Sequence, residues 1–256
     1  MIKNTIQEFF HVAFQGLKPF NRHTTGINLT FISLPILILL FLRFGTGSSF
    51  FQIAKNLSFF HDFTRNQMVF WSQVFVTISS FVFLIVTPVL LNKYFPLPID
   101  HPFGLRIRGI GKHYIISVLL ILIMLPILWI SFAMAGLNQY YPIYKPLNMT
   151  DWLLYECIYL PLFFPTEFFF RGVLLYRLEH YLPGRGVWIA MIGYAIGHIF
   201  KPFPEAIASL FAGYLLGMLS LHCRSIWPGF FVHAGIAFFA DFFALIHSGY
   251  MQKLLE

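Results

Sequence analysis

Charge is scarce in this chain, and acid is scarcer than base. Asp, Glu, Lys and Arg together make up 11% of 256 residues, ten acidic against seventeen basic. A water-facing surface needs roughly a quarter of its residues charged, so a soluble globular domain is excluded. Cysteine is as rare. Cys157 and Cys223 stand far apart with no CxxC spacing, which excludes a disulfide framework and a thiolate zinc knuckle and leaves two inert core thiols. The net charge of +7 comes from basic residues scattered among loops. No cluster offers a nucleic-acid backbone a footprint, and the excess points instead to membrane topology and contact with lipid. The first twenty-odd residues lack an apolar core followed by a small-residue cleavage site, so no removable leader is expected there. Internal repeats are absent as well, which weakens an inverted-repeat transporter reading.

Apolar residues are what the chain has in abundance: 58% hydrophobic and 20% aromatic, with 33 Phe. Such a composition predicts an integral membrane protein, an all-α polytopic bundle of about seven spanning helices. The segments are Ile27–Phe44, Met68–Leu91, Tyr114–Ala135, Trp152–Tyr176, Val187–Phe200, Pro204–Leu221 and Ile226–Ile246. Pro161 and Pro165 are expected to break the fourth. The fifth makes only about 21 Å of helix, short of a crossing. It is expected to start earlier, near Tyr181, or to lie shielded among its neighbours. Over Met1–His23, Ile2, Ile6, Phe9, Phe10, Ala13, Phe14 and Leu17 recur at three-to-four spacing opposite Lys3, Gln7, Glu8, His11 and Lys18, which predicts an interfacial helix. The chain divides into an interfacial segment at 1–26, amino-terminal spans at 27–150 and a core at 151–250. Basic residues of the amino terminus and of the loop Asn92–His113 predict a cytoplasmic amino terminus, and the expected setting is a bacterial-type cell membrane.

Inside lipid an ionisable side chain costs about 2.5–3.5 kcal/mol on insertion scales and marks a functional site by default. Glu167 and Arg171 lie four apart, acid first, and share a helix face on which they pair. The bland alternative is a pair that only neutralises itself. Two imidazoles downstream, His198 and His233, favour function. Counted along each helix from its cytoplasmic end, Glu167 lies about 14 Å deep, His198 about 16 Å and His233 about 10 Å. One layer thus holds a carboxylate and two imidazoles, the parts needed to activate water or to bind a metal. The other histidines, His113 and His222 among them, read as surface or interface groups, and Phe168–Phe170 as helix packing and lipid contact.

These residues fall in a recognisable order: Thr166-Glu167-x-x-x-Arg171-Gly172, then Tyr194-x-x-x-His198, then His233-x-x-x-Ala237. The pattern resembles the CPBP family of intramembrane proteases, which includes the type II CAAX-processing endopeptidases and bacteriocin-processing or self-immunity proteins. The resemblance covers about Trp152–Ile246, with Gly104-Leu105-Arg106 as a minor further likeness. It implies hydrolysis of a peptide bond in or next to the membrane. The substrate implied is a membrane-associated or lipid-modified peptide or protein. Water would be activated either directly or through a divalent metal such as zinc, held if at all by Glu167, His198 and His233. Glu167 matches the second glutamate of the family's Glu-Glu-x-x-x-Arg, Arg171 its arginine, and His198 and His233 its two histidines. Thr166 stands where the first glutamate belongs and Ala237 where Asn or Asp belongs. Threonine is no base near neutral pH and alanine donates nothing. Losing a base costs on the order of 10²–10⁴ in rate, and losing an oxyanion donor 10²–10³. Asp241, about 12 Å along the helix from His233, is too distant to replace Ala237.

Three readings follow. In a remodelled peptidase, Glu167 activates water together with His233, Arg171 keeps Glu167 ionised, and His198 steadies developing charge. A catalytically degenerate homologue would keep the Glu167–Arg171 pair and serve as a membrane scaffold or regulatory binding protein. A small transporter would string its polar residues along the membrane normal.

Overall fold

Lipid offers backbone N–H and C=O groups no partner, so apolar segments of this length fold as helices. The computed structural model describes residues 22–94, 103–134, 137 and 140–255. Among them there is no strand, only an isolated antiparallel bridge between Leu105 and Ser225. The interfacial helix expected over Met1–His23 lies outside the described residues as far as residue 21. Helix α1, Arg22–Phe44, begins before the expected Ile27 and turns by 45° at Gly45-Thr46 into α2, Gly47–Ala54. Then come α3 (Arg65–Tyr94), α4 (Gly111–Met134), α5 (Met149–Tyr181), α6 (Gly186–Ile196), α7 (Phe203–Cys223), α8 (Trp227–His247) and α9 (Tyr250–Leu255). Among the described residues five helices (α3, α4, α5, α7 and α8) are long and apolar enough to cross a membrane, or six counting the bent α1–α2 pair. The all-α membrane bundle is therefore present. The count falls short of seven because the Val187–Phe200 segment is helical only to Ile196, about 16 Å. The chain turns through residues 197–200 and Pro202 starts the next helix. Helix α6 lays one side against α7 and α5 and turns Trp188, Ile192 and Ile196 outward.

Helix α5 is the axis of the bundle. Of its most apolar window 61% is buried, against 11–39% in the other four long helices. It is also the least regular. Proline lacks the amide that a continuous α-helix needs, and the α-helical turn gives way at Pro161 to a 3₁₀ turn, Leu160–Leu162. An α-helical turn, Phe163–Glu167, leads into a π-helical stretch, Phe168–Leu175, before regular helix resumes at Tyr176. The wider π turn rotates all its side chains into the interior: Phe168, Phe169 and Phe170 are 2%, 0% and 8% exposed. These rings are packing, not lipid contact. Leu175, Leu178 and Ile226 complete the same core.

Two other sequence expectations are corrected. Cys157 faces outward, whereas Cys223 is buried and donates its thiol to the Leu219 carbonyl at 2.8 Å. His113 is no surface group either, but a buried ring lying 5.3 Å from that of His222.

The turn between α7 and α8 is tied down by the loop before α4. Arg224 adopts a left-handed conformation (φ 50°), the Ile226 amide donates to the Gly104 carbonyl at 2.9 Å, and the Ser225 hydroxyl donates to the Arg106 carbonyl at 2.6 Å. This brings the Phe103 carbonyl against the π segment. A Cβ on Gly172 would stand 2.5 Å from that oxygen, and since the obstacle is backbone the loop would have to move. Gly172→Ala is therefore expected to destabilise the protein by about 1–3 kcal/mol, measured as a lower thermal midpoint in detergent. An unchanged midpoint would show that the loop yields freely.

Candidate active site

The break in α5 sets the site. Glu167 closes the short α-helical turn after Pro165 and Arg171 lies one turn on, inside the π segment, so both point into the bundle where α6 and α8 close over them. Glu167 has no exposed surface and Arg171 is 2% exposed. The Arg171 Nη1–H donates to Glu167 Oε1 at 2.9 Å. Leaving either ion unpaired at this depth would cost several kcal/mol, which the pairing offsets.

The same oxygen has a second partner. His233, on α8, places Nδ1 2.8 Å from Glu167 Oε1, while its Nε2 lies 3.1 Å from the Tyr194 hydroxyl of α6. A carboxylate only accepts hydrogen bonds, so Nδ1 carries the proton that faces it and Nε2 of the neutral ring carries the lone pair. Tyr194 thus donates to Nε2. Its ring also lies under the Arg171 guanidinium, 4.2 Å from Cζ to centroid, a cation–π contact in dry surroundings. Phe163 covers His233, ring centroids 4.5 Å apart. The remaining oxygen, Glu167 Oε2, meets no donor. It faces Gly229, whose missing Cβ would stand 3.1 Å away. A Cβ there would crowd the carboxylate, which would have to give by a few tenths of an ångström.

Of the four residues expected at the site, three meet directly: Glu167, Arg171 and His233. His198 arrives through Tyr194, its ring centroid 4.6 Å from the tyrosine ring and its Nδ1 3.2 Å from the Tyr194 carbonyl. The most open of the set is not the acid. His233 keeps 14% of its side-chain surface and His198 is half-buried. The departures have local consequences. The Thr166 hydroxyl folds back onto its own helix and donates to the Leu162 carbonyl at 3.0 Å. Ala237 adds no polar atom beyond His233 on α8.

A metal reading was open from the sequence. Among the described residues no three His, Cys, Asp or Glu side chains converge as a metal ion requires, and Glu167 and His233 are bonded to each other. Glu167, His198 and His233 therefore do not fit a metal ion.

Three features had escaped sequence reasoning. Tyr194 was visible only as the aromatic position four before His198; its hydroxyl and ring join His233 to Arg171. Near His198, Glu205 accepts from the Tyr141 hydroxyl at 2.8 Å and pairs with Lys201 at 3.6 Å. Burial first, and Tyr159 and Glu205 next, push the Tyr141 hydroxyl far above its ordinary range, so it stays a donor. Glu156 of α5 and Asp241 of α8 are two further buried acids. The spacing Lys201-x-x-x-Glu205 was a legible i,i+4 pair; the burial of Glu156 and Asp241 left no local signal.

Residues 148–239 match the family model described as Rce1-like: Type II CAAX prenyl endopeptidase Rce1-like. No curated protein and no solved structure matches the chain.

Two substitutions test the geometry. Glu167→Gln removes the charge that balances buried Arg171 and is expected to cost about 3–5 kcal/mol of stability, seen as a lower unfolding midpoint. Tyr194→Phe keeps the ring but takes away the donor to His233, an expected loss of about 0.5–1.5 kcal/mol. A larger loss for Tyr194→Phe than for Glu167→Gln would contradict the assignment of the carboxylate as the hub.

Proposed function

From the match of residues 148–239 to the family model described as Rce1-like type II CAAX prenyl endopeptidase, we propose that this integral membrane protein hydrolyses a peptide bond in or near the membrane through a remodelled centre. The observation that carries the proposal is the 2.8 Å contact between Glu167 Oε1 and His233 Nδ1. A carboxylate that orients an imidazole and stabilises its protonated form is the core of a general-base device.

Glu167 is sealed off, so its action on water passes through His233. A water beside Nε2 gives up its proton to that nitrogen as its oxygen adds to the peptide carbonyl. Glu167 stabilises the imidazolium that results, and Arg171 pairs with Glu167. The Tyr194 hydroxyl, released from Nε2 as that nitrogen takes the proton, is positioned to donate to the oxyanion, with His198 steadying the charge beside it. The imidazolium then returns its proton to the leaving amine. The substrate class is a membrane-associated or lipid-modified peptide or protein, and the basic loops put the amino terminus on the cytoplasmic side of a bacterial-type membrane.

A second reading is favoured by one observation. The Thr166 hydroxyl is spent on the Leu162 carbonyl, so nothing stands where the family's first carboxylate would. In that reading the chain is a scaffold or regulatory protein that binds a membrane partner without cutting it.

Cleavage of candidate peptides by the protein in proteoliposomes separates the two. The peptidase predicts measurable cleavage by wild type, reduced about 10²–10⁴-fold by His233→Ala and by Glu167→Gln. Thr166→Glu combined with Ala237→Asn is expected to raise the rate. A folded wild type that cuts no candidate yet retains a partner supports the scaffold.

A further inference from the structure

The loop that enters α4 and the turn from α7 to α8 meet at one end of the bundle, and the meeting gathers cations. Leu105 pairs with Ser225 in an antiparallel bridge, which sets Arg106 opposite Arg224. In the first turn of α4 the His113 ring lies 5.3 Å from His222 in the last turn of α7, so Lys112 joins the same end. Arg106, Arg108, Lys112 and Arg224 are all exposed. Among the described residues none of the four is paired with an acid. Arg106 is also held in place. Its Nε–H donates to the Arg108 carbonyl at 3.0 Å, and its Nη2 lies 3.4 Å from where a Cβ on Gly109 would stand. Beyond that bond its guanidinium has no partner among the described residues.

Cations without an acid attract an anion, and the apolar residues between them narrow its kind. Leu105 and Ile107, interleaved with Arg106 and Arg108, are 44% and 68% exposed. Helices α4 and α8 begin here and α7 ends here, each long and apolar enough to cross a membrane. The patch therefore lies at the level of lipid headgroups. An acidic protein or a nucleic acid would meet the arginines from water and leave Leu105 and Ile107 wet. A phospholipid satisfies both, since its phosphate accepts guanidinium N–H bonds and its acyl chains receive the apolar side chains. A zwitterionic headgroup brings a cation of its own into the patch, so a lipid of net negative charge fits better.

We propose that this end of the bundle is a docking site for the headgroup of an anionic phospholipid, with the phosphate on Arg106, Arg108, Lys112 and Arg224 and with Leu105 and Ile107 in the acyl region beneath it. The site has a route to α5. Phe103, at the start of the loop, stacks its ring on Phe168 with centroids 5.1 Å apart, and its carbonyl oxygen lies 2.5 Å from where a Cβ on Gly172 would stand. Lipid that pins residues 104–110 therefore steadies the π segment on which Arg171 stands, and with it the pairing to Glu167.

Titration of the full chain in an uncharged detergent with short-chain phosphatidylglycerol tests the site, with the thermal midpoint as readout. A saturable rise is expected, absent with phosphatidylcholine of the same chain length and smaller at high salt. The half-maximal lipid concentration is expected to increase roughly fivefold for each of Arg106→Gln and Arg108→Gln, and to stay put for Arg65→Gln at the opposite end of α3. Hydrogen exchange over residues 104–110 is expected to slow once lipid is bound. Equal shifts with the two lipids, or an Arg65→Gln effect as large as that of Arg106→Gln, overturn the proposal. So does the same shift with inorganic phosphate alone, which would make the ligand a free anion, and so does a midpoint rise without protection of the loop. Should Arg106→Gln fail to fold, Arg108→Gln combined with Lys112→Gln leaves the Arg106 Nε bond in place and still decides. None of these measurements requires peptide cleavage, so a chain that cuts nothing answers the question equally well.

Discussion

One oxygen atom, Oε1 of Glu167, holds the centre of this bundle. It accepts from Arg171 one turn along its own helix and from His233 on α8, and Tyr194 of α6 closes the ring by bonding the far side of the imidazole. Water cannot reach the carboxylate and lipid has no hydrogen bonds to give. The charge therefore persists only if the protein surrounds it with donors, and those donors have to come from separate helices. The requirement fixes which faces of α5, α6 and α8 turn inward. It also bears on Gly229, where a Cβ would crowd the remaining carboxylate oxygen.

Irregular backbone makes the arrangement possible. An unbroken α-helix over Met149–Tyr181 would carry Glu167 and Arg171 on a narrow stripe and turn Phe168–Phe170 around the circumference, some of them toward lipid. Pro161 interrupts the α-helical hydrogen bonding, and the π segment after Glu167 widens the turn so that consecutive side chains all face the interior. π turns recur at functional sites for this reason. The cost in backbone regularity is offset by the packing of Phe168, Phe169, Val173 and Leu175 around the polar centre, and by the loop near Gly104 that approaches through Gly172.

The resulting chemistry differs from what the motifs alone suggested. With Glu167 sealed and Thr166 bonded to its own helix, the partly open group is an imidazole backed by a carboxylate. That places the proposed base on α8 and leaves α5 to orient it.

Much of this was legible in the residues. Apolar runs bounded by basic loops announced a membrane bundle, because no other fold tolerates so few charges. Glu167, Arg171, His198 and His233 stood out, because an ionisable group in lipid needs a reason to be there, and i,i+4 spacing disclosed the ion pair. The α6 segment was suspect by length alone. Other features depended on the azimuth of one helix against another, which a period of 3.6 residues does not encode: that His233 reaches Glu167 while His198 stops at Tyr194, and that Cys157 faces out and His113 faces in. Composition and spacing determined which groups would be buried and which neighbour along the helix each would find. Only the packing of α5, α6 and α8 decided the partners across helices, because those contacts are set by distances between residues far apart in the chain.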